Sequence, residues 1–279
     1  MWITAVEPIL VELGFVGTPT ADEPWPRLWW VASGLLSILP IHAAGYHERP
    51  GCNAIDRVVC SYTPTIASLS YSRERHMRII ENQKIVLTSL KQTVEYSTLP
   101  FAKEEVNEIK KMLPPQIQIE VLQTPKKAQV LSALRGHQIA HFACHASLCF
   151  DPSQSRLLLA DWKTSPFTVS DIAALNIPHA QMAYISACHV AVMKNLRLLN
   201  ESINLASAIR LAGYPSVIGS LWQVSNEHSV EIAKEVYGSM LVEKSTLKTE
   251  RSAEGLSRAQ RSLREKLFQA LEEGSQAIR

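Results

Sequence analysis

From residue 84 to residue 241, short apolar runs alternate with segments whose apolar residues recur at helical spacing. Residues 84–90, 116–122, 155–160 and 216–221, with two further runs ending at His145 and Cys188, read as strands. Residues 101–113, 126–134, 169–175, 201–212 and 226–241 read as helices. In 101–113, Val106, Ile109 and Leu113 share a helical face, and Pro114-Pro115 stops the helix. Such alternation requires crossover connections, which lay helices over the faces of a mainly parallel sheet. The expected fold is therefore α/β.

Two of the strands end on reactive side chains. His145 closes Ile139-Ala140-His141-Phe142-Ala143-Cys144-His145, and Cys188 closes Met182-Ala183-Tyr184-Ile185-Ser186-Ala187-Cys188. The 43-residue separation between them (188 minus 145) holds a crossover and a return strand. Ligands of an open parallel sheet bind outside the carboxyl ends of its strands, so a thiol and an imidazole are expected at one edge. A free thiol with pKa ~8.5 is only a few per cent thiolate at pH 7. An imidazole beside it takes the proton during attack and returns it to a leaving amine. The tetrahedral intermediate needs donors, each worth roughly 2.7–4 kcal/mol; the backbone amides of Ala146 and Cys188 are the expected oxyanion hole.

Composition narrows the alternatives. The 279 residues carry a net charge of only +2 with no basic stripe, so no nucleic-acid partner is expected. Five cysteines, at 52, 60, 144, 149 and 188, are odd in number and irregularly spaced, which argues against a disulfide framework and for a reducing cytosol or nucleus. One long uncharged stretch, residues 28–46, contains Ser33, Gly34, Pro40 and His42 and makes a poor membrane span. The N-terminal residues lack a basic stretch and carry Glu7 and Glu12, unlike a signal peptide. Upstream, residues 1–15 and 64–75 are expected helices, and 28–31 and 55–60 strands. Residues 73–78 are a polar boundary, and 252–279 a charged amphipathic helix with Leu256, Leu263, Leu267 and Leu271 in register. The expected division is 1–80, 81–245 and 246–279.

Several segments resemble the CHAT domain family, caspase-like and separase-like cysteine peptidase modules often attached to tetratricopeptide repeats. His141-Phe142-Ala143-Cys144-His145-Ala146 resembles the family's histidine motif, and Ile185-Ser186-Ala187-Cys188 its nucleophile motif. Residues 202–213 resemble the helix that follows, and Val217-Ile218-Gly219-Ser220-Leu221-Trp222 the Ser-Leu-Trp strand. Trp25-Pro26-Arg27, residues 39–45 and residues 61–65 are similar to the fungal branch. The resemblance implies a caspase-like three-layer sandwich, a mostly parallel sheet flanked by helices, with a degenerate caspase-like half at the N-terminus. It implies a cytoplasmic endopeptidase acting on a protein or peptide, with Cys188 as nucleophile and His145 as general base. It also implies Glu201, Trp222 and Asn226 along the cleft, no cofactor or metal, no membrane, and a regulatory protein partner. Ala146 stands where the family has Gly, and Asn200 and Asn226 where it has acids; both asparagines also read as helix N-caps.

Two other readings of the same residues remain open. His141, Cys144, His145, Cys149, Cys188 and His189 are zinc-ligand types, but His141 and His145 would lie about 13 Å apart on a strand at ~3.3 Å per residue. The second reading is a domain that keeps the fold without turnover and serves as a protein-interaction scaffold. No Gly-x-Ser-x-Gly occurs, which argues against a serine hydrolase.

Overall fold

The computed structural model describes residues 1–20, 23–76, 82–187, 204–221, 226–243 and 245–276. Trp2–Val6 winds as a π-helix into α1 (Glu7–Glu12), and Gly14, at φ +82°, turns the chain out of it. Trp2, Val6 and Leu10 bury against Trp30, Ile41, Ala54 and Val58. β1 (Arg27–Trp30) and β2 (Val59–Tyr62) pair in parallel. The second strand begins later than the expected residue 55 because Ala54–Asp56 forms a 3₁₀ turn. Asp56 holds that turn by accepting from the Gly51 amide and Asn53 Nδ2. α2 (Ile66–His76) follows and runs through the polar stretch at Arg73.

The main sheet is built from β3 (Lys84–Ser89), β4 (Gln118–Gln123), β5 (Ile139–Ala143), β9 (Met182–Ile185) and β10 (Ser216–Gly219), in the order β10-β9-β5-β3-β4 and parallel throughout. The alternation seen in the sequence thus becomes the expected sheet. All five residues of β5 are buried. Successive side chains point to opposite faces, so each strand feeds two cores. Val86, Ala140, Phe142, Ala183 and Ile185 pack beneath α4 (Lys127–Gly136), α5 (Val169–Ala173) and α6 (Leu205–Leu211). Ile85, Leu87, Ile139, Met182 and Tyr184 pack beneath α3 (Ala102–Met112) and α7 (Asn226–Met240). The strand order reverses between β3 and β5, and such a switch point opens a crevice at the carboxyl edge.

Between β5 and β9 the chain makes a small antiparallel sheet of β6 (Ala146–Ser147), β7 (Arg156–Leu157) and β8 (Phe167–Thr168). The strand expected over 155–160 is cut to two residues because the Ala160 amide turns to the Pro125 carbonyl. α6 is capped by Asn204, whose Oδ1 accepts from the Ser207 amide; Asn200, the expected cap, lies outside the described residues. Gly213 ends this helix at φ +122°, where a Cβ would stand 2.5 Å from the Ile177 carbonyl oxygen. A short hairpin of β11 (Leu241–Val242) and β12 (Thr246–Leu247) leads into α8 (Ser252–Gln276). α8 packs on α7 where Gly255 lets the backbones close; a Cβ there would lie 2.9 Å from Val236 Cα. Its leucine face is only partly used: Leu256 joins the core, while Leu267 and Leu271 are exposed. α8 also reaches the N-terminal part, where Arg264 Nη2 bonds Asp56 Oδ1 at 2.6 Å and the Arg261 guanidinium lies 3.7 Å from the Trp25 ring centre.

Candidate active site

His145 lies two residues past β5, at the carboxyl edge beside the switch point. Its backbone carbonyl accepts from the Leu158 amide at 2.8 Å. Its ring Nε2 is 2.8 Å from the Ser97 carbonyl oxygen. A carbonyl can only accept, so Nε2 carries the proton and Nδ1 is the basic nitrogen. The ring packs against Tyr96 (centroids 5.4 Å apart), and Tyr96 meets Trp162 edge-on. Both Tyr96 and Ser97 sit in the loop after β3. Glu95 turns this loop at φ +71°, a backbone state that non-glycine residues rarely adopt, and its exposed carboxylate pairs with Lys163.

Ala146 opposes Leu157. Because Leu158 N–H bonds the His145 carbonyl, this is the non-hydrogen-bonded kind of antiparallel pair. The Ala146 amide therefore points away from β7.

The neighbouring strand, β9, brings the chain to the same edge. His141 pairs with Tyr184 and Phe142 with Ile185, and the Ser186 amide continues the ladder to the Phe142 carbonyl at 2.8 Å. Two side chains then grip the strand end. Ser186 Oγ donates to Glu105 Oε2 at 3.0 Å, and Ser220 Oγ donates to the Ala187 carbonyl at 2.5 Å. Cys188, the next residue, lies outside the described residues, as do Glu201, Trp222 and the side chain of Asn226; the backbone of Asn226 opens α7.

Under the strand ends is a buried polar cluster. Glu105, on α3, is 2% exposed, and its Oε1 lies 3.0 Å from His141 Nε2, off the line of the ring N–H. Its Oε2 also accepts from Ser229 Oγ of α7 at 2.9 Å. The His141 ring stacks on Tyr184 at 4.7 Å and lies beside Tyr237. Burial, reinforced by the Glu105 charge, pushes both phenols well above their ordinary range, so both stay protonated. His141 is thus a core histidine facing an acid. Glu105, Tyr96, Ser97 and Ser220 were not anticipated. For Glu105 a signal existed: it lies four residues before Ile109 and so shares the buried face of its helix.

The described thiols differ in their surroundings. Cys144 is fully buried, which pushes its thiol up to about 12, and Cys60 is raised to about 11 by burial while accepting from Trp30 Nε1. Cys149 Sγ accepts from Arg156. Among the described residues, no three His, Cys, Asp or Glu side chains converge on a metal position. No described helix is long and apolar enough to cross a membrane.

His145, Ser186 and Ala187 open onto a cavity of about 960 Å³ that continues past Ser220 to β1, β2, α2 and α8. A parallel five-stranded sheet with a switch point at its carboxyl edge and helices on both faces is a caspase-like α/β fold. A solved complex of the pro- and mature domains of RgpB from Porphyromonas gingivalis has the same fold, with a TM-score of 0.57 at 12% identity, over 91% of this chain and 63% of that one. A flavodoxin from Streptococcus pneumonia TIGR4 aligns at a TM-score of only 0.30 and 15% identity, over 63% of this chain and 97% of that one. The CHAT domain profile matches residues 2–270, and the chain belongs to the CHAT domain family. No curated protein matches it.

Proposed function

We propose that this chain is a CHAT-type cysteine endopeptidase using His145 and Cys188. The observation that carries the reading is the hydrogen bond from His145 Nε2 to the Ser97 carbonyl, which leaves Nδ1 as a base at the edge where β9 ends. The register supports it: β9 is offset from β5 by 43 residues (185 minus 142), the same interval that separates Cys188 from His145. In the proposed reaction Nδ1 takes the Cys188 proton and the thiolate attacks the scissile carbonyl carbon. The Ala146 and Cys188 amides receive the oxyanion. The imidazolium then protonates the leaving amine, the C–N bond breaks, and water hydrolyses the thioester to free the acid and restore the thiol.

Glu201, Trp222 and Asn226 are proposed cleft-wall residues. A cytoplasmic setting, an affinity with the fungal branch and a regulatory protein partner are further parts of this reading. The test is digestion of a peptide library by the whole chain, read by mass spectrometry. Cleavage that disappears in both Cys188→Ala and His145→Ala is expected. No cleavage overturns the reading in favour of a scaffold domain, and cleavage that survives both substitutions overturns the His145–Cys188 dyad.

A further inference from the structure

The cavity that leaves the His145 edge is lined by more cations than accessible anions. Arg27 of β1, Arg73 of α2 and Arg210 of α6 face it, against Glu105 and Glu250. Glu105 is already engaged by His141, Ser186 and Ser229. Glu250 is exposed, and it is its backbone carbonyl that accepts from Arg27 Nη1 at 3.0 Å.

None of the three arginines has a carboxylate within ion-pair distance among the described residues. Arg210 Nη2 donates to Ser72 Oγ at 3.0 Å and the Ser68 carbonyl at 3.4 Å, both neutral. Among the described residues, the contact given for Arg73 is a cation–π contact with Trp29. Arg27 lies over the same ring, 4.8 Å from its centre, and its Nε is buried with no hydrogen-bond partner. Burial lowers the Arg210 guanidinium, with no acid offsetting it. For Arg27, burial outweighs the pull of Glu254 and Glu250. The three groups are contiguous: Arg27 and Arg73 share the Trp29 ring, and Ser72, beside Arg73, holds Arg210.

Arg27 and Arg210 are half-buried cations whose described partners are all neutral, which is costly unless something anionic completes them. The geometry points to a subsite for acidic side chains: we infer that the Arg27–Arg73–Arg210 strip binds glutamate or aspartate residues of a peptide lying in the cleft. This rests on the endopeptidase reading and names the substrate class it would prefer. A peptide fits better than nucleic acid. Arginines cover Trp29, so its ring is not open for base stacking. The rest of this wall includes Ile38, Leu39, Leu69, Leu256 and Leu263, which suit apolar side chains between the acidic ones.

The test is isothermal titration calorimetry with the full-length Cys188→Ser chain, which measures binding without turnover. The probes are a decapeptide of alternating glutamate and leucine, its glutamine isostere, and a twelve-nucleotide oligouridylate. The glutamate peptide is expected to bind at least about tenfold tighter than the glutamine one in low salt, and the preference should shrink as salt screens it. Arg210→Gln should remove most of the preference. Arg73→Gln, at an exposed position, should reduce it severalfold. Equal binding of the two peptides, binding of neither, a preference unchanged in Arg73→Gln, or oligouridylate binding through the same arginines overturns the inference. If glutamate selectivity is found while the wild-type chain cleaves nothing, the subsite stands and the endopeptidase reading falls.

Discussion

Replacing His141 with Phe should destabilise the chain far more than an ordinary core substitution of similar size. The imidazole is fully buried, and so is the carboxylate it faces. Phe fills the ring's volume, so the cavity cost is small. What remains is a buried Glu105 held only by the hydroxyls of Ser186 and Ser229, 3.0 and 2.9 Å away. Leaving a buried polar group without the partner it faces costs about 1–3 kcal/mol, and more for a charged group. For a domain of this size that lowers Tm by several degrees, on the order of 2–4 °C per kcal/mol. The reasoning makes a sharper claim about the double variant Glu105→Met with His141→Phe. It removes the charge altogether and leaves two hydroxyls without an acceptor, at about 1 kcal/mol each. The double variant should therefore be more stable than His141→Phe alone. Thermal unfolding followed by tryptophan fluorescence measures both, and the double-mutant cycle isolates the coupling. If His141→Phe costs under about 1 kcal/mol, or the second substitution only adds to the loss, the pair is not an interdependent buried unit.

Ser220→Ala removes the bond to the Ala187 carbonyl. It should cost about 1 kcal/mol of stability while slowing Cys188 alkylation several-fold, read by mass spectrometry; an unchanged alkylation rate counts against a role for Ser220 in holding the strand end. Burial pushes the Cys144 thiol up to about 12, so iodoacetamide at pH 8 should leave it unmodified in the folded chain while the half-buried Cys52 and Cys149 react. Burial depresses His42 to about 4. The unfolded chain then binds that proton first, so the His42 contribution is intact above pH 6.5 and is lost as pH falls toward 4. It amounts to at most about 2 kcal/mol at pH 5, and the fall in Tm between pH 7 and pH 5 should be shallower in His42→Gln.

The sheet was legible because its signal is local. Each strand is a short apolar run and each crossover has a 3.6-residue period, and both survive without knowledge of the neighbours. Element ends were less legible because distant partners decide them. The Asp56 network delays β2, and the Pro125 carbonyl pulls Ala160 out of β7. The same division runs through the site. His145 could be placed at a strand end from its own run. Ser97, which fixes its tautomer, is 48 residues away in an unremarkable polar loop, and nothing in that loop's composition marks it. Glu105 was half legible, since its helical face was visible but its meeting with His141 depends on how α3 crosses β5. The arginine strip was not legible at all: it draws single residues from β1, α2 and α6, which only the tertiary fold brings to one wall.

The most direct test of the dyad is the pH profile of Cys188 alkylation by iodoacetamide, resolved by mass spectrometry, in the wild-type chain and in His145→Asn. If His145 Nδ1 serves the thiol, wild-type Cys188 should alkylate at pH 6.5 at least about tenfold faster than an unperturbed thiol of pKa ~8.5. His145→Asn should return the profile to that of a free cysteine. Superimposable profiles for the two chains, with an apparent pKa at or above that of a free thiol, would contradict the pairing of His145 with Cys188.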